Sequence, residues 1–378
     1  MTVQSFEINI EPTVLEDLRD RLRGTRWSDE IDGAGWDYGM NGSVLRSFAH
    51  TWLEEFDWPA QQSRLNQYTH LRVDVDELGV HALHARAVDG AGLPLVLLHG
   101  WPSSFVQMLP IVPLLTTGAD PFDVVVISLP GYGFSDRPRQ RGMHLTRIAD
   151  IVVEVMAQLG YPRFGARGSD LGAGVLQQLA LNYPDRLIAL HLSGTNPYLG
   201  WIPDDLSPTE QQFVTNAQQW NRTEMAYALE HSSKPQTLAH ALNDSPAGLA
   251  AWILEKFHRW SDCQGDLDSV YDRDDLLTNL TIYWATGTIG SSMRLYYETA
   301  HSTTAGYGRV EVPTGMAMSS ADMFPTPREW VERQYNVIHW TDLPRGGHFL
   351  EWEIPHLIAD DLRTFFNSHR HNTRSIRL

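Results

Sequence analysis

The sequence predicts an α/β protein with a mostly parallel central sheet, helices on both faces, a helical insertion and a helical amino-terminal extension. Two observations support this fold class. Short, wholly apolar runs alternate with helical stretches in the middle and near the end of the chain, as is typical of strands buried on both faces. Between about residues 196 and 304 the alternation gives way to a polar, helical segment rich in aromatic residues.

Composition and charge restrict the class of protein. The chain has 378 residues, of which 42% are hydrophobic, and a net charge of −17, which disfavours nucleic acid and anionic membrane surfaces as partners. Cys263 is the single cysteine, so folding does not depend on an oxidising compartment. Residues 1–11 lack the features of a secretory signal, and no apolar run reaches the roughly 18 residues that span a bilayer. We therefore expect a soluble, cytoplasmic protein; a homodimer is compatible with the sequence, although no motif specifies one.

The amino-terminal region, residues 1–68, is predicted to be helical. Residues 12–18 and 43–56 place apolar side chains at helical spacing, and the second run ends before Pro59. We expect the four tryptophans of this region to pack in the core rather than form a binding cage: Trp27, Trp36, Trp52 and Trp58.

The α/β core is predicted to comprise residues 69–195 and 306–378, separated by a helical cap over residues 196–305. Two alternating runs predict antiparallel strands, at residues 71–75 and 80–84. Wholly apolar runs predict buried strands at residues 93–98, 124–127 and 187–192, with helices at 147–159 and 175–183. The core resumes with strands at 310–318 and 337–340 and a closing helix at 357–366. A cap inserted in this way would cover the carboxyl ends of the strands, where open α/β sheets bind ligands.

The most informative motif is Gly168-Ser169-Asp170-Leu171-Gly172, between a predicted strand and a predicted helix. The nucleophile elbow of α/β-hydrolases is a strained turn with the pattern Gly-x-Ser-x-Gly. Here the two glycines frame Asp170, and Ser169 is out of register. A carboxylate at that place attacks a saturated carbon and forms an alkyl-enzyme ester, which water then hydrolyses. An Asp that only caps the following helix is the alternative, but its position favours the nucleophile.

Two backbone groups and two later side chains complete the predicted site. The N–H groups of Trp101, in the loop after the first parallel strand, and of Leu171 are expected to hold an oxyanion. His348 follows the last strand on a loop with two glycines, and position favours it as general base over His339, which lies inside a predicted strand. We expect His99 to be structural. The acid that orients the base should follow the preceding strand, residues 312–318, and Asp322 does so; position disfavours Glu311, Glu329 and Asp342.

Together these motifs make the chain similar to the microsomal-type epoxide hydrolases, which include the insect juvenile hormone epoxide hydrolases and bacterial relatives. The resemblance covers nearly the whole chain and rests on ordered blocks at residues 6–8, 22–27, 99–102, 130–135, 241–246, 248–250, 283–288 and 344–349. It implies the α/β-hydrolase fold and assigns the family's nucleophile to Asp170, its histidine to His348 and its acid to Asp322, where mammalian relatives carry Glu. Two cap tyrosines of the family correspond to Tyr227 and Tyr296; Tyr297 is adjacent but should face another way.

The resemblance also shows two departures. Leu171 stands where many relatives carry Trp, so the pocket wall should be less aromatic while the backbone donor is unaffected. We also expect the protein to lack the amino-terminal membrane anchor of mammalian members, in agreement with a soluble enzyme.

The predicted function is hydrolysis of an apolar epoxide, aryl epoxides included, to a vicinal diol, without a metal or organic cofactor. Its partners would be the epoxide and water. Three alternatives remain at this point: a haloalkane or haloacid dehalogenase on the same scaffold, a catalytically silent binding protein with a hydrolase fold, and a serine esterase that acts through Ser169.

Overall fold

A computed structural model describes residues 2–370, with the exception of 89–91, 195–201, 305, 307 and 324. The predicted cap boundaries at 195–196 and at 305 therefore lie outside the described residues. The strands are β1 (Val3–Phe6), β2 (His70–Val75), β3 (Leu78–Ala85), β4 (Leu93–Leu98), β5 (Phe122–Ile127), β6 (Phe164–Ser169), β7 (Leu187–Ser193), β8 (Val310–Ser319) and β9 (Tyr335–Leu343). The helices are α1 (Pro12–Arg23), α2 (Gly42–Glu54), α3 (Trp58–Leu65), α4 (Val112–Thr116), α5 (Leu145–Gln158), α6 (Asp170–Asn182), α7 (Pro208–Thr223), α8 (Ala226–Ser233), α9 (Pro235–Asp244), α10 (Pro246–Trp260), α11 (Arg273–Thr286), α12 (Ile289–Ala300), α13 (Arg328–Glu332), α14 (Leu350–Glu353) and α15 (Pro355–Asn367).

The strands form one sheet in the order β1-β2-β3-β5-β4-β6-β7-β8-β9. The pairs from β5 through β9 are parallel, whereas β1, β2 and β3 pair in antiparallel fashion at one edge. The chain runs outward from β4 to β5 in one direction and from β6 to β9 in the other. The order of the strands therefore reverses between β4 and β6, and a crevice opens at the carboxyl ends of strands beside such a reversal.

Helices cover both faces of the sheet, as predicted. Helices α5 and α6 pack against each other on one face, and α15 packs with α4 on the other. Gly165 and Gly315 let α15 approach the sheet closely, since a Cβ at Gly165 would lie 2.5 Å from the ring of Phe366 and one at Gly315 would lie 3.0 Å from that of Phe365. The wholly apolar runs of β4 and β5 are buried because both faces are occupied.

The amino-terminal region contains the predicted helices and one strand that was not predicted. β1 is an exposed edge strand of four residues paired to β2, and its sequence is too short to show the alternation of a strand. Trp52 and Trp58 are buried, which confirms their packing role, and the Trp52 indole donates to Thr281 of the cap helix α11. Trp27 is 42% exposed, so the prediction was wrong for that residue. The second helical run ends at Glu54, and Pro59 lies in the first turn of α3.

Helices α7 to α12 lie between β7 and β8 and form the cap. Each of α7, α9 and α10 begins with proline in its first turn, and Ser207 and Glu210 form a capping box at the start of α7. Helix α12 packs against both α8 and α9. Over the described part of the chain, no helix is both long and apolar enough to span a membrane.

Candidate active site

The predicted nucleophile lies at the point where the strand order reverses. Asp170 follows β6 directly and is the first residue of α6, with a φ of 51°. This left-handed conformation is strained for a residue other than glycine. The turn requires glycine beside it, since a Cβ at Gly172 would lie 2.4 Å from the carbonyl oxygen of Leu98. The turn thus has the local geometry of an elbow that holds the Asp170 side chain above the sheet.

The carboxylate of Asp170 is held at one oxygen and faces the histidine with the other. The N–H of Trp101 donates to Oδ1 over 3.0 Å, and Oδ2 lies 3.5 Å from Nε2 of His348. Leu171, in the first turn of α6, has a backbone N–H without an intrahelical partner. The helix N-terminus also favours negative charge at this place. A Cβ at Gly100 would lie 2.4 Å from Oδ1, so this loop approaches the carboxylate as closely as only glycine allows.

His348 is buried between two carboxylates. Its Nδ1 donates to Oδ1 of Asp322 over 3.1 Å, and that oxygen also accepts the N–H of Met323 at 2.7 Å. Burial acts to lower the pKa of His348, but the negative charges of Asp322 and Asp170 outweigh it and raise the pKa to about 10. The imidazole is therefore held as a cation while both neighbours are ionised.

The loop that carries His348 is fastened by residues that sequence reasoning missed. The carboxylate of Glu353 accepts the backbone N–H groups of Gly347, Phe349 and Asp262 at 2.7, 2.9 and 2.9 Å. The N–H of His348 donates to the carbonyl oxygen of Trp260 in the cap at 2.7 Å. The only sequence signal for Glu353 is an acid shortly after the histidine, and such spacing is too common to predict this contact.

The two predicted cap tyrosines reach the site from different helices. Tyr227 on α8 stacks on the indole of Trp101, with ring centroids 5.2 Å apart, and Tyr296 on α12 meets the same indole edge-on at 6.2 Å. Tyr297 lies on another face of α12 and stacks on His301. The core phenol of Tyr283 donates to the carbonyl of Ser103, which is a structural use of the group. Tyr227 and Tyr296 thus differ from Tyr283 and Tyr297, which also lie on cap helices, because only the first two line the cavity beside Asp170.

All five predicted side chains line one cavity of about 230 Å³: Asp170, His348, Asp322, Tyr227 and Tyr296. The rest of its wall is largely apolar or small, with Leu145, Leu171, Ala173, Gly174 and Met323 among its residues. No group of three or more metal-ligating side chains occurs among the residues that the structure describes. The arrangement combines a carboxylate, a paired histidine and two phenols around an apolar space.

The residues set aside at the sequence level lie elsewhere. The Nε2 of His99 accepts the N–H of Leu129 at 3.2 Å, and burial lowers the pKa of His99 to about 4, as suits a neutral structural residue. His339 pairs with Asp361 at 2.8 Å. Ser169 is buried and is not part of the cavity wall.

Comparison with known proteins gives the family. Residues 3–108 match the sequence profile described as the epoxide hydrolase N terminus, and residues 94–268 match that of the alpha/beta hydrolase fold. A protein of Stigmatella aurantiaca, provisionally named an epoxide hydrolase, is 39% identical over 97% of this chain and 86% of its own. Epoxide hydrolase 1 of Oryctolagus cuniculus is 32% identical over 96% of this chain and 88% of its own. The crystal structure of juvenile hormone epoxide hydrolase from Bombyx mori superposes with a TM-score of 0.86 at 30% identity, over 98% of this chain and 94% of that one.

Proposed function

The chain belongs to the epoxide hydrolase family, and from that premise we propose that it converts an apolar epoxide, aryl epoxides included, into a vicinal diol through an ester on Asp170. The observation that supports this best is the environment of the carboxylate. One oxygen accepts a backbone N–H, the other faces the histidine, and both lie in a cavity that two phenols also line.

In the first half-reaction Oδ2 of Asp170 attacks one epoxide carbon while the C–O bond to the ring oxygen breaks. That oxygen would otherwise leave as an alkoxide. Tyr227 or Tyr296 donates a hydrogen bond and then a proton to it, and the donor becomes a phenolate. Trp101 keeps Oδ1 turned toward its N–H, so Oδ2 is the oxygen available for attack. The product of this step is a neutral ester.

In the second half-reaction His348 removes a proton from water, which attacks the ester carbonyl carbon. Formation of the ester has removed the charge of Asp170, and with it one of the two charges that raise the pKa of His348. The imidazolium can therefore give its proton to the phenolate that the first step left. This restores the phenol, and the neutral imidazole then acts as the base while Asp322 holds its orientation. The oxyanion at Oδ1 is held by the Trp101 and Leu171 N–H groups; one such donor typically contributes about 2.7–4 kcal/mol. Breakage of the bond between the carbonyl carbon and Oδ2 releases the diol, whose oxygen takes its proton from His348. The proton left on the Asp170 carboxyl then passes to His348, which restores the carboxylate and the imidazolium.

Halide displacement is the second candidate, on one specific observation. The indole N–H groups of Trp101 and Trp260 are buried without a hydrogen-bond partner within the described residues, and indole donors suit a halide. Neither residue belongs to the cavity wall, however, whereas both tyrosines do. This difference favours the epoxide.

The test measures diol formation from styrene oxide and a bulkier aryl epoxide by the wild type, Asp170→Asn and the matched control Ser169→Ala. We expect diol from the wild type and from Ser169→Ala but not from Asp170→Asn. A single turnover in ¹⁸O-water should place the label in Asp170, and label found directly in the diol would contradict the covalent route. Bromide release from a bromoalkane without diol formation would favour a dehalogenase. Cleavage of a p-nitrophenyl ester that is lost in Ser169→Ala but not in Asp170→Asn would favour a serine esterase.

A further inference from the structure

A second concave region lies on the side of α12 that faces away from the catalytic cavity. Two adjoining cavities of about 400 and 380 Å³ share wall residues and form one continuous groove. The shared residues are Pro138, Arg139, Gln236, Ser291 and Arg294. We name it the basic groove after the cations in its walls: Arg137, Arg139, Arg141, Lys234 and Arg294.

The cations of the basic groove outnumber the carboxylates in its wall. Among the described residues, none of its five cations forms an ion pair within 4.0 Å. Glu298 is the one carboxylate in the described part of the wall, and its Oε2 accepts the N–H of Gly142 at 2.7 Å. Such a concentration of positive charge is unexpected on a chain whose net charge is −17.

Arg294 is the least exposed of the five cations. It is partly buried where the two cavities meet, and its closest polar contact is a long hydrogen bond of 3.4 Å to the carbonyl of Pro138. Burial and then the neighbouring Arg137 lower the pKa of Arg294, the charge of Glu298 offsets part of that shift, and arginine remains charged. A partly desolvated cation that forms no ion pair is unfavourable, and an anion in the groove would relieve this.

The basic groove joins the cap to the core. Arg137, Arg139 and Arg141 lie on the core segment between β5 and α5, whereas Lys234 lies between α8 and α9 and Arg294 on α12. An anion bound by both groups would therefore connect cap and core. Helix α12 also carries Tyr296 of the catalytic cavity on another face, and α8, which ends just before Lys234, carries Tyr227.

We propose that the basic groove binds a small phosphorylated molecule with at least two negative charges, which bridges the cap and the core. Guanidinium groups match phosphate oxygens in bidentate fashion, and several converge here. Apolar side chains beside them, including Met143, Leu295 and Tyr297, suit an organic portion of the ligand. A concave site on a strongly acidic protein disfavours a flat anionic membrane, which the remaining surface would repel. The proposal does not depend on the reaction assigned to the catalytic cavity.

Isothermal titration with inorganic pyrophosphate and with phenyl phosphate, in about 50 mM KCl, tests the site. The variant is Arg139→Gln with Arg141→Gln, and the matched control is Arg26→Gln with Arg222→Gln, two exposed arginines without an ion pair in the described structure. We expect binding by the wild type and the control. The Arg139 and Arg141 variant should bind at least roughly tenfold more weakly, since one charge-assisted hydrogen bond is worth about that factor. Pyrophosphate should also raise the Tm of the wild type and the control but not that of the variant.

Several results would overturn the proposal. Absence of heat and of a Tm shift in the wild type at about 10 mM pyrophosphate, roughly a thousandfold above a Kd of about 10 μM, would refute the site. If pyrophosphate binds equally weakly to the control, the loss of affinity is due to net charge and not to the groove. A lipid headgroup would be the ligand instead if pyrophosphate does not bind and the wild type co-sediments with phosphatidylcholine vesicles that contain anionic phosphatidylglycerol. In that case the Arg139 and Arg141 variant should not co-sediment. Diol formation is measured in parallel, so failure of this site and failure of the proposed reaction remain distinguishable.

Discussion

Replacement of Asp322 by Asn should separate the two half-reactions. The substitution keeps the shape of the side chain but removes the charge that faces Nδ1 of His348 over 3.1 Å. Two unit charges about 4 Å apart attract by about 4 kcal/mol at an effective dielectric constant of about 20. Both side chains are only 5% exposed, so solvent screens the pair little. This interaction stabilises the imidazolium that forms when His348 takes a proton from water.

Loss of about 4 kcal/mol corresponds to a factor of roughly 10³ in rate. We therefore expect ester hydrolysis to slow by about 10²- to 10³-fold. Attack by Asp170 needs no new charge on His348, so alkylation should slow by less than about tenfold. The ester should then accumulate. Rapid-quench experiments with mass spectrometry of the peptide that contains Asp170 measure both rates in a single turnover.

Asp361→Asn is the matched control for this prediction. Asp361 also pairs with two histidines, His191 at 2.7 Å and His339 at 2.8 Å, but does not line the catalytic cavity. The control should lower Tm without changing the ratio of the two rates. If Asp322→Asn slows alkylation as much as hydrolysis, or leaves hydrolysis within tenfold of the wild type, the proposed role of Asp322 is refuted.

Three further predictions concern the same site. Tyr227→Phe and Tyr296→Phe should each slow alkylation of Asp170 by roughly 10²-fold, which is the lower end of the effect of proton-transfer catalysis. Hydrolysis of a preformed ester should be unchanged. If hydrolysis slows instead, the proposed contact of these phenols with the epoxide oxygen is contradicted. Gly100→Ala places a Cβ 2.4 Å from Oδ1 of Asp170 and should lower kcat by at least about 10² through loss of one oxyanion contact, while circular dichroism shows a folded protein; a kcat near that of the wild type would show that the loop can move away. The pKa of His348 is raised from 6.5 to about 10, so the contribution of this residue to stability is complete below pH 6.5 and is lost as the pH rises through 10. The Tm of the wild type should therefore fall between about pH 7 and pH 10, and that of His348→Gln should fall less. Equal slopes of Tm against pH in the two proteins would contradict the shift.

Much of the candidate site could be predicted because its arrangement depends on local backbone geometry. A carboxylate framed by Gly168 and Gly172 after a buried strand indicates an elbow, since only small residues fit beside so tight a turn. Chain order then restricts the histidine to the end of the last strand. The contacts of Glu353 and the exposed edge strand β1 could not be predicted. The first depends on two loops that meet across the cap and the core, and the second has no apolar face to produce a pattern.

The sequence by itself determined the fold class, the alternation of strands and helices, and the candidates Asp170 and His348. These features follow from periodicity and from glycine positions, which are properties of neighbouring residues. Only the tertiary structure decided which oxygen of Asp170 faces His348, which face of α12 carries Tyr296, and that five cations gather in the basic groove. Residues more than a hundred positions apart meet in these contacts, and packing of cap on core, rather than local spacing, sets their distances.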